Sequence, residues 1–131
     1  MRLTKDQFVD MARNVQRAAS TLKQVNNREK RRKSDEIKNF LKLAASFNIK
    51  LAETQTDVDI SLSRRELRQL ESLYLTRLQA LLGTVIPGYE ARISKSETDE
   101  ERTLYKPYLE KAVASSEEYK NIIKLLSKEL E

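Results

Sequence analysis

Apolar residues recur every three or four positions over four stretches of the chain, which is the pattern of amphipathic α-helices. The most apolar stretch runs from Leu62 to Leu82. It begins with a capping box, in which the side chains of Ser63 and Glu66 accept hydrogen bonds from each other's backbone amides. Its wide apolar stripe consists of Leu67, Leu70, Leu73, Tyr74, Leu75, Leu78, Leu81 and Leu82. A stripe of this width predicts a central helix that packs against more than one neighbour.

The first helix is predicted to follow a second capping box, formed by Thr4 and Gln7. Its apolar residues alternate at spacings of three and four, as in a coiled-coil seam, and they are Phe8, Met11, Val15, Ala18, Leu22 and Val25. The same register would place Glu29 in the seam, so this helix is expected to stop near residues 26–27. A second helix has a new apolar phase and is expected to end at Asn48; the residues of this phase are Ile37, Phe40, Leu41, Ala44 and Phe47.

The connections leave some boundaries open. The second helix begins either at Ser34 or, as a longer helix, at Asn26. Residues 49–61 are interpreted as a long connection, with an apolar and polar alternation near its end that allows a short extended piece. After the central helix, Gly83 suits a helix C-cap, and the pair Pro87-Gly88 predicts a turn.

The last helix is predicted to start at a capping box of Thr98 and Glu101. Pro107 then predicts either a kink near Tyr105 or a fresh helix with proline in its first turn. The apolar register continues almost to the end, through Leu109, Ala112, Ser116, Tyr119, Ile123, Leu126 and Leu130. We therefore expect one all-α domain over residues 1–131, a four-helix bundle with a long loop between helices 2 and 3 and a long C-terminal helix.

Composition argues against an enzyme. The 131 residues include no cysteine, histidine or tryptophan, so disulfides and the Glu-x-x-His metal sites of helical bundles are excluded. Gly83 and Gly88 are the only glycines, and neither belongs to a phosphate-binding loop. The carboxylates of Asp57 and Asp59, and those of residues 99–101, lack the surroundings that metal binding or catalysis requires. We expect no catalytic residues, no cofactor and no metal.

Hydropathy bears on the location of the protein. Charged or amide side chains interrupt every apolar run before it reaches the length that spans a bilayer. The first residues lead into an amphipathic helix and not into an apolar signal core. We therefore expect an intracellular, cytoplasmic protein without membrane contact, and a place in a virion remains open.

The net charge of +5 is unevenly distributed. Residues 1–50 carry a net charge of +8, residues 51–86 carry −1, and residues 87–131 carry −2. Basic clusters attract phosphate backbones by releasing counterions, with little sequence preference. The predicted nucleic-acid surface has its densest part at Arg28, Lys30, Arg31, Arg32 and Lys33. It also includes Arg13 and Arg17, and it gains Arg64, Arg65 and Arg68 if the long loop returns the third helix to that end. A solvated helix end, partly neutralised by nearby acids, is the competing interpretation.

Three tyrosines gather around Pro107 in the sequence: Tyr89, Tyr105 and Tyr108. Aromatic residues with a polar tip are frequent at interfaces, so these three are candidate partner-binding residues; packing at the end of the bundle is the alternative. Arg77 would fall in the seam of the third helix, so we expect it to pair with a carboxylate or to anchor a partner.

These observations favour a non-enzymatic helical subunit of a larger assembly that binds nucleic acid or another polyanion non-specifically through its basic N-terminal region. The alternative is a protein-protein adaptor, or a virion structural or assembly protein, without nucleic-acid contact. A protein partner or a homo-oligomer is expected in either case. The segments RELRQLESLYLTRLQALL and TDEERTLYKPYL resemble the helical half of GINS replication subunits over about the last half of the chain. The resemblance is one of helix patterning and assigns no residue a role.

Overall fold

A computed structural model describes the backbone of residues 1–29, 35–53 and 57–131, and the side chains of residues 1–22, 38–50 and 57–131. The elements are β1 (Arg2–Leu3), α1 (Lys5–Glu29), α2 (Asp35–Glu53), β2 (Val58–Asp59), α3 (Arg64–Ala80), the π-helical segment (Leu81–Val85), α4 (Ile86–Lys95) and α5 (Asp99–Leu130). The π-helical segment joins α3 and α4 into one helical run, so the described residues form four helical segments. The predicted all-α class, four helices and long C-terminal helix are confirmed.

The chain divides into two compact units. Unit 1 contains residues 1–70 and 129–131, and unit 2 contains residues 71–128. The divisions fall inside α3 and near the end of α5, so both helices contribute residues to each unit.

The core of unit 1 lies mainly between α1 and α2. The rings of Phe8 and Phe47 are tilted by 58° with their centroids 5.4 Å apart. Gln16 Nε2 donates a hydrogen bond of 2.7 Å to the carbonyl oxygen of Ala44. These two contacts follow opposite orders along the two helices, as in an antiparallel pair. The buried apolar residues are Leu3, Phe8, Met11, Ala12, Val15, Ala19, Phe40, Leu43, Ala44, Phe47, Val58, Ile60, Leu67 and Leu70.

A two-stranded antiparallel ladder joins the beginning of the chain to the connection before α3. Leu3 of β1 lies opposite Val58 of β2, and both side chains are buried. The Ile60 N–H donates to the Met1 carbonyl oxygen at 2.9 Å. The short extended piece predicted near Val58 is therefore confirmed, and it brings the start of α3 close to the start of α1.

Two predicted capping boxes form with both of their hydrogen bonds. The Ser63 N–H donates to Glu66 Oε1 at 2.8 Å, and the Glu66 N–H donates to Ser63 Oγ at 3.1 Å. The corresponding distances at Thr4 and Gln7 are 2.9 and 3.2 Å. Each box satisfies backbone donors that the first helical turn leaves without partners.

Helices α1 and α2 both extend beyond the predicted ends. α1 continues to Glu29, and α2 continues to Glu53 instead of ending at Asn48. The chain has no proline or glycine near either predicted end, so nothing in the local sequence stops either helix at its last buried apolar residue. Ile49 lies in the extension of α2 with 66% of its surface exposed. α2 is described from Asp35 onwards; the two alternatives for its start, Ser34 and Asn26, are separated by residues 30–34, which lie outside the described residues.

The break predicted at Gly83 and Pro87-Gly88 is wrong. The helix continues through these residues by way of the π-helical segment, in which the Ile86 N–H donates to the Leu81 carbonyl oxygen. A proline has no N–H, and its ring collides with the carbonyl four residues earlier. The π-helical turn inserts one extra residue just before Pro87, which then occupies the first turn of α4, where proline is tolerated. Neither glycine has a positive φ.

Helix α5 also continues through its proline. Pro107 lies inside α5, so the fresh helix offered as one alternative does not form. The capping interaction at its start is confirmed, because the Glu101 N–H donates to Thr98 Oγ1 at 3.2 Å. The Glu101 carboxylate accepts from the Glu97 N–H at 3.4 Å.

The core of unit 2 lies between α3 and α5. The rings of Tyr74 and Tyr119 meet edge to face, with their centroids 5.3 Å apart. Ser127 Oγ donates to Glu71 Oε2 at 3.0 Å. The residues of α5 buried in the protein are Ala112, Ser116, Ile122 and Leu126.

Candidate functional site

Five of the predicted nucleic-acid-binding arginines have described side chains, and all five lie exposed on unit 1: Arg13, Arg17, Arg64, Arg65 and Arg68. Among the described residues, none of their guanidinium groups has an ion pair or a side-chain hydrogen bond. In unit 2, Arg102 pairs with Asp99 at 2.8 Å and Lys120 pairs with Glu117 at 3.1 Å. The five arginines of unit 1 are therefore available to an external anion.

These arginines are spread along unit 1. Arg13 and Arg17 lie one turn apart in the middle of α1, a helix of 25 residues that is about 37 Å long at 1.5 Å per residue. Arg64 follows Ile60 by four residues and so lies near the start of α1. The condition under which Arg64, Arg65 and Arg68 would join the cluster at the end of α1 is therefore not fulfilled, and Arg64 lies apart from Arg28.

The densest predicted group follows α1. The described residues do not include Lys30, Arg31, Arg32 and Lys33. Arg28 lies in the last turn of α1, and its side chain is not described. The contribution of these five residues to nucleic-acid binding therefore remains a prediction from the sequence.

Sequence interpretation also left out a pair of cations on α2. Lys38 and Lys42 are exposed on α2, one turn apart, and neither has an ion pair within the described part of the chain. The sequence pattern could have identified both lysines as exposed, because their positions fall outside the apolar helical face that contains Phe40 and Ala44.

The three predicted tyrosines come together where α4 faces α5 in unit 2. The rings of Tyr89 and Tyr108 stack with an interplanar angle of 12° and centroids 5.8 Å apart. The guanidinium carbon of Arg92 lies 5.8 Å from the ring centroid of Tyr89 and 5.6 Å from that of Tyr105. Sequence interpretation did not single out Arg92, although it follows Tyr89 by three residues and so shares its helical face.

Arg92 also separates two shallow depressions. One has a volume of about 210 Å³ and is lined by Thr84, Val85, Gly88, Tyr89 and Arg92. The other has a volume of about 270 Å³ and is lined by Ala91, Arg92, Lys95, Ser96, Glu101 and Tyr105. Beside them, Leu104 is 59% exposed and Tyr108 is 54% exposed, one turn apart on α5. We call Tyr89, Arg92, Leu104, Tyr105 and Tyr108 the tyrosine-arginine surface.

Arg77 lies half-buried on α3. Its Nε atom is buried without a hydrogen-bond partner, and its guanidinium has no ion pair with any described residue. Of the two roles expected for Arg77, pairing with a carboxylate is therefore not found in the described part of the chain.

Two further features bear on function. No three acidic side chains in the described segments lie close enough together to hold a metal ion. Within the same segments, no helix combines the length and the apolar character needed to cross a membrane.

Comparisons with protein-family models, with curated proteins and with solved structures give no match for this chain. The resemblance of residues 65–109 to GINS subunits therefore gains no support from them. The arginines of unit 1 and the tyrosine-arginine surface of unit 2 are the two candidate functional sites.

Proposed function

We propose that this protein is a non-enzymatic helical subunit of a larger assembly, and that unit 1 binds nucleic acid or another polyanion non-specifically. One observation carries the proposal. Five exposed arginines of unit 1 have no carboxylate partner among the described residues.

The chemistry of arginine supports a phosphate-rich partner. A guanidinium group presents five N–H donors in a planar fork, which matches phosphate oxygens. Each phosphate that it neutralises releases counterions, and this release supplies most of the affinity of non-specific binding. An ion pair within the protein would have offset much of this gain.

The spread of the charges favours a polymer over a small anion. Arg64 lies near the start of α1, Arg13 and Arg17 lie at its middle, and the sequence places five more cations between residues 28 and 33. Over the roughly 37 Å length of such a helix, duplex DNA carries many phosphates, since its charges are spaced about 1.7 Å apart. Contacts between these side chains and phosphates carry no information about base sequence, so little sequence preference is expected.

The test is a salt series of DNA binding followed by fluorescence anisotropy. The variant Arg13→Gln/Arg17→Gln/Arg68→Gln removes three of the arginines. If each contacts one phosphate, the slope of log K against log salt for duplex DNA becomes shallower by about 2 to 3, at roughly 0.9 per lost contact. Circular dichroism verifies that the variant keeps its helix content.

A matched control separates the arginines from net charge. Lys106→Gln/Lys111→Gln/Lys124→Gln removes the same charge from exposed positions of unit 2 and is expected to change the slope by less than about 1. Equal losses in both variants, or no loss in either, would contradict the role of unit 1. Substituting Glu at Arg28 and at residues 30–33 tests the cluster after α1, and it is expected to abolish binding.

A further inference from the structure

The tyrosine-arginine surface is not used by the proposed polyanion binding. We propose that it docks a segment of a partner protein in which a carboxylate side chain lies beside apolar side chains. The proposal rests on the geometry of Arg92 and on the exposed apolar residues around it, and it is independent of the arginines of unit 1.

Arg92 is held in place without using its hydrogen-bond donors. It lies over the rings of Tyr89 and Tyr105, and a guanidinium over an aromatic face keeps its N–H donors along its own edges. Among the described residues, no carboxylate pairs with Arg92. A planar guanidinium with open edges is suited to a bidentate bond with a carboxylate.

Two acidic residues in the first turn of α5 have other partners. Asp99 accepts from Arg102 at 2.8 Å, and Glu101 accepts from the Glu97 backbone N–H at 3.4 Å. An external carboxylate would therefore find Arg92 without competition from these two acids.

The apolar part of the surface suits a protein segment. Leu104 and Tyr108 are each more than half exposed and lie one turn apart on α5. The depression next to Gly88 has open space within 4 Å of the position that a Cβ atom would take. Tyrosine and arginine are among the residue types enriched at the centres of protein interfaces, where apolar contacts surround a few directed polar bonds.

The same residues are poorly suited to single-stranded nucleic acid. Bases stack on open aromatic faces, but the ring of Tyr89 already contacts both Tyr108 and Arg92. Residues 87–131 carry a net charge of −2, which repels a phosphate backbone and still permits one carboxylate to bind at Arg92.

The test begins with phage display of short random peptides on the immobilised full chain. Enriched peptides are expected to contain Asp or Glu near Leu, Phe or Trp. The binding affinity of each synthetic peptide is then measured for the wild type and for Arg92→Gln. Each peptide is used in two forms, one with its Asp or Glu intact and one with that residue replaced by the corresponding amide. Either change alone is expected to weaken binding about tenfold, and the two together only slightly more, because both remove the same bond.

Two control variants isolate the site. Lys111→Gln removes an equal charge from an exposed position of α5 that has no ion pair with any described residue, and it is expected to leave peptide binding unchanged. Leu104→Ser, at an exposed position, is expected to weaken binding without changing the helical circular dichroism signal. The proposal is overturned if no peptide is enriched, if the enriched peptides lack acidic residues, or if Arg92→Gln behaves as Lys111→Gln. It is also overturned if an oligonucleotide binds this surface and loses binding in Arg92→Gln, which would identify a nucleic-acid site instead.

Discussion

The ring contact between Phe8 and Phe47 predicts a measurable coupling between α1 and α2. Both side chains are buried, with 0% and 2% of their surface exposed, and their ring centroids are 5.4 Å apart. Replacing either residue by Leu keeps an apolar side chain at the position but removes the ring. A double-mutant cycle then measures the ring contact apart from burial.

The expected magnitudes follow from these contacts. Phe8→Leu and Phe47→Leu are each expected to lower the free energy of unfolding by about 1 to 2 kcal/mol, below the cost of truncation to Ala, because most of the apolar volume remains. The coupling energy is expected to be about 0.5 to 1.5 kcal/mol, the range for aromatic pairs beyond their buried area.

Urea denaturation followed by circular dichroism measures these values, with two-state behaviour verified by a second probe. Phe8 and Ala19 provide the control pair, because both are buried on α1 and lie about 16 Å apart along the helix. Phe8→Leu and Ala19→Gly are expected to be additive within about 0.5 kcal/mol. A Phe8-Phe47 coupling no larger than that of the control pair would refute the packing described for α1 and α2.

Two further predictions concern single helices. Ser63→Ala removes the acceptor for the Glu66 N–H and is expected to lower the free energy of unfolding by about 1 kcal/mol. Ser61→Ala, at an exposed position two residues earlier, is expected to stay within about 0.5 kcal/mol of the wild type in the same urea experiment. Pro107→Ala restores a missing N–H inside α5 and is expected to raise the melting temperature, with a gain of about 1 to 3 kcal/mol. A lower melting temperature for Pro107→Ala would show that the proline stabilises this helix.

Local chemistry explains which parts of the fold could be predicted. A capping box depends on residues three apart and on no other part of the chain, so the boxes at Ser63 and Thr4 were identified correctly. The apolar stripes identified the helices because the buried positions of a helix recur with its periodicity, which the sequence shows directly. The alternation near Val58 likewise predicted the short strand, although its partner at Leu3 could not be deduced from it.

The predictions failed where the preference of a single residue type was overridden by the structure of a longer segment. Glycine and proline were weighed as helix breakers at residues 83–88, but a π-helical turn accommodates Pro87 without a break. That continuity brings α4 against α5, and the contact of Arg92 with two tyrosine rings follows from it. Arg92 was therefore missed, because no pattern along the chain shows which residues of two different helices meet. The return of α3 to the start of α1 depends on pairing across more than fifty residues and was missed for the same reason.

The π-helical segment sets the rotational phase of α4. Since successive helical residues are rotated by about 100° around the axis, its one surplus residue turns every later position of that helical run by a comparable angle. Tyr89 and Arg92 meet their counterparts on α5 in this phase. Loss of a single codon between Leu81 and Val85 would thus rotate both side chains away from α5 and dismantle the surface while leaving each of its own residues intact.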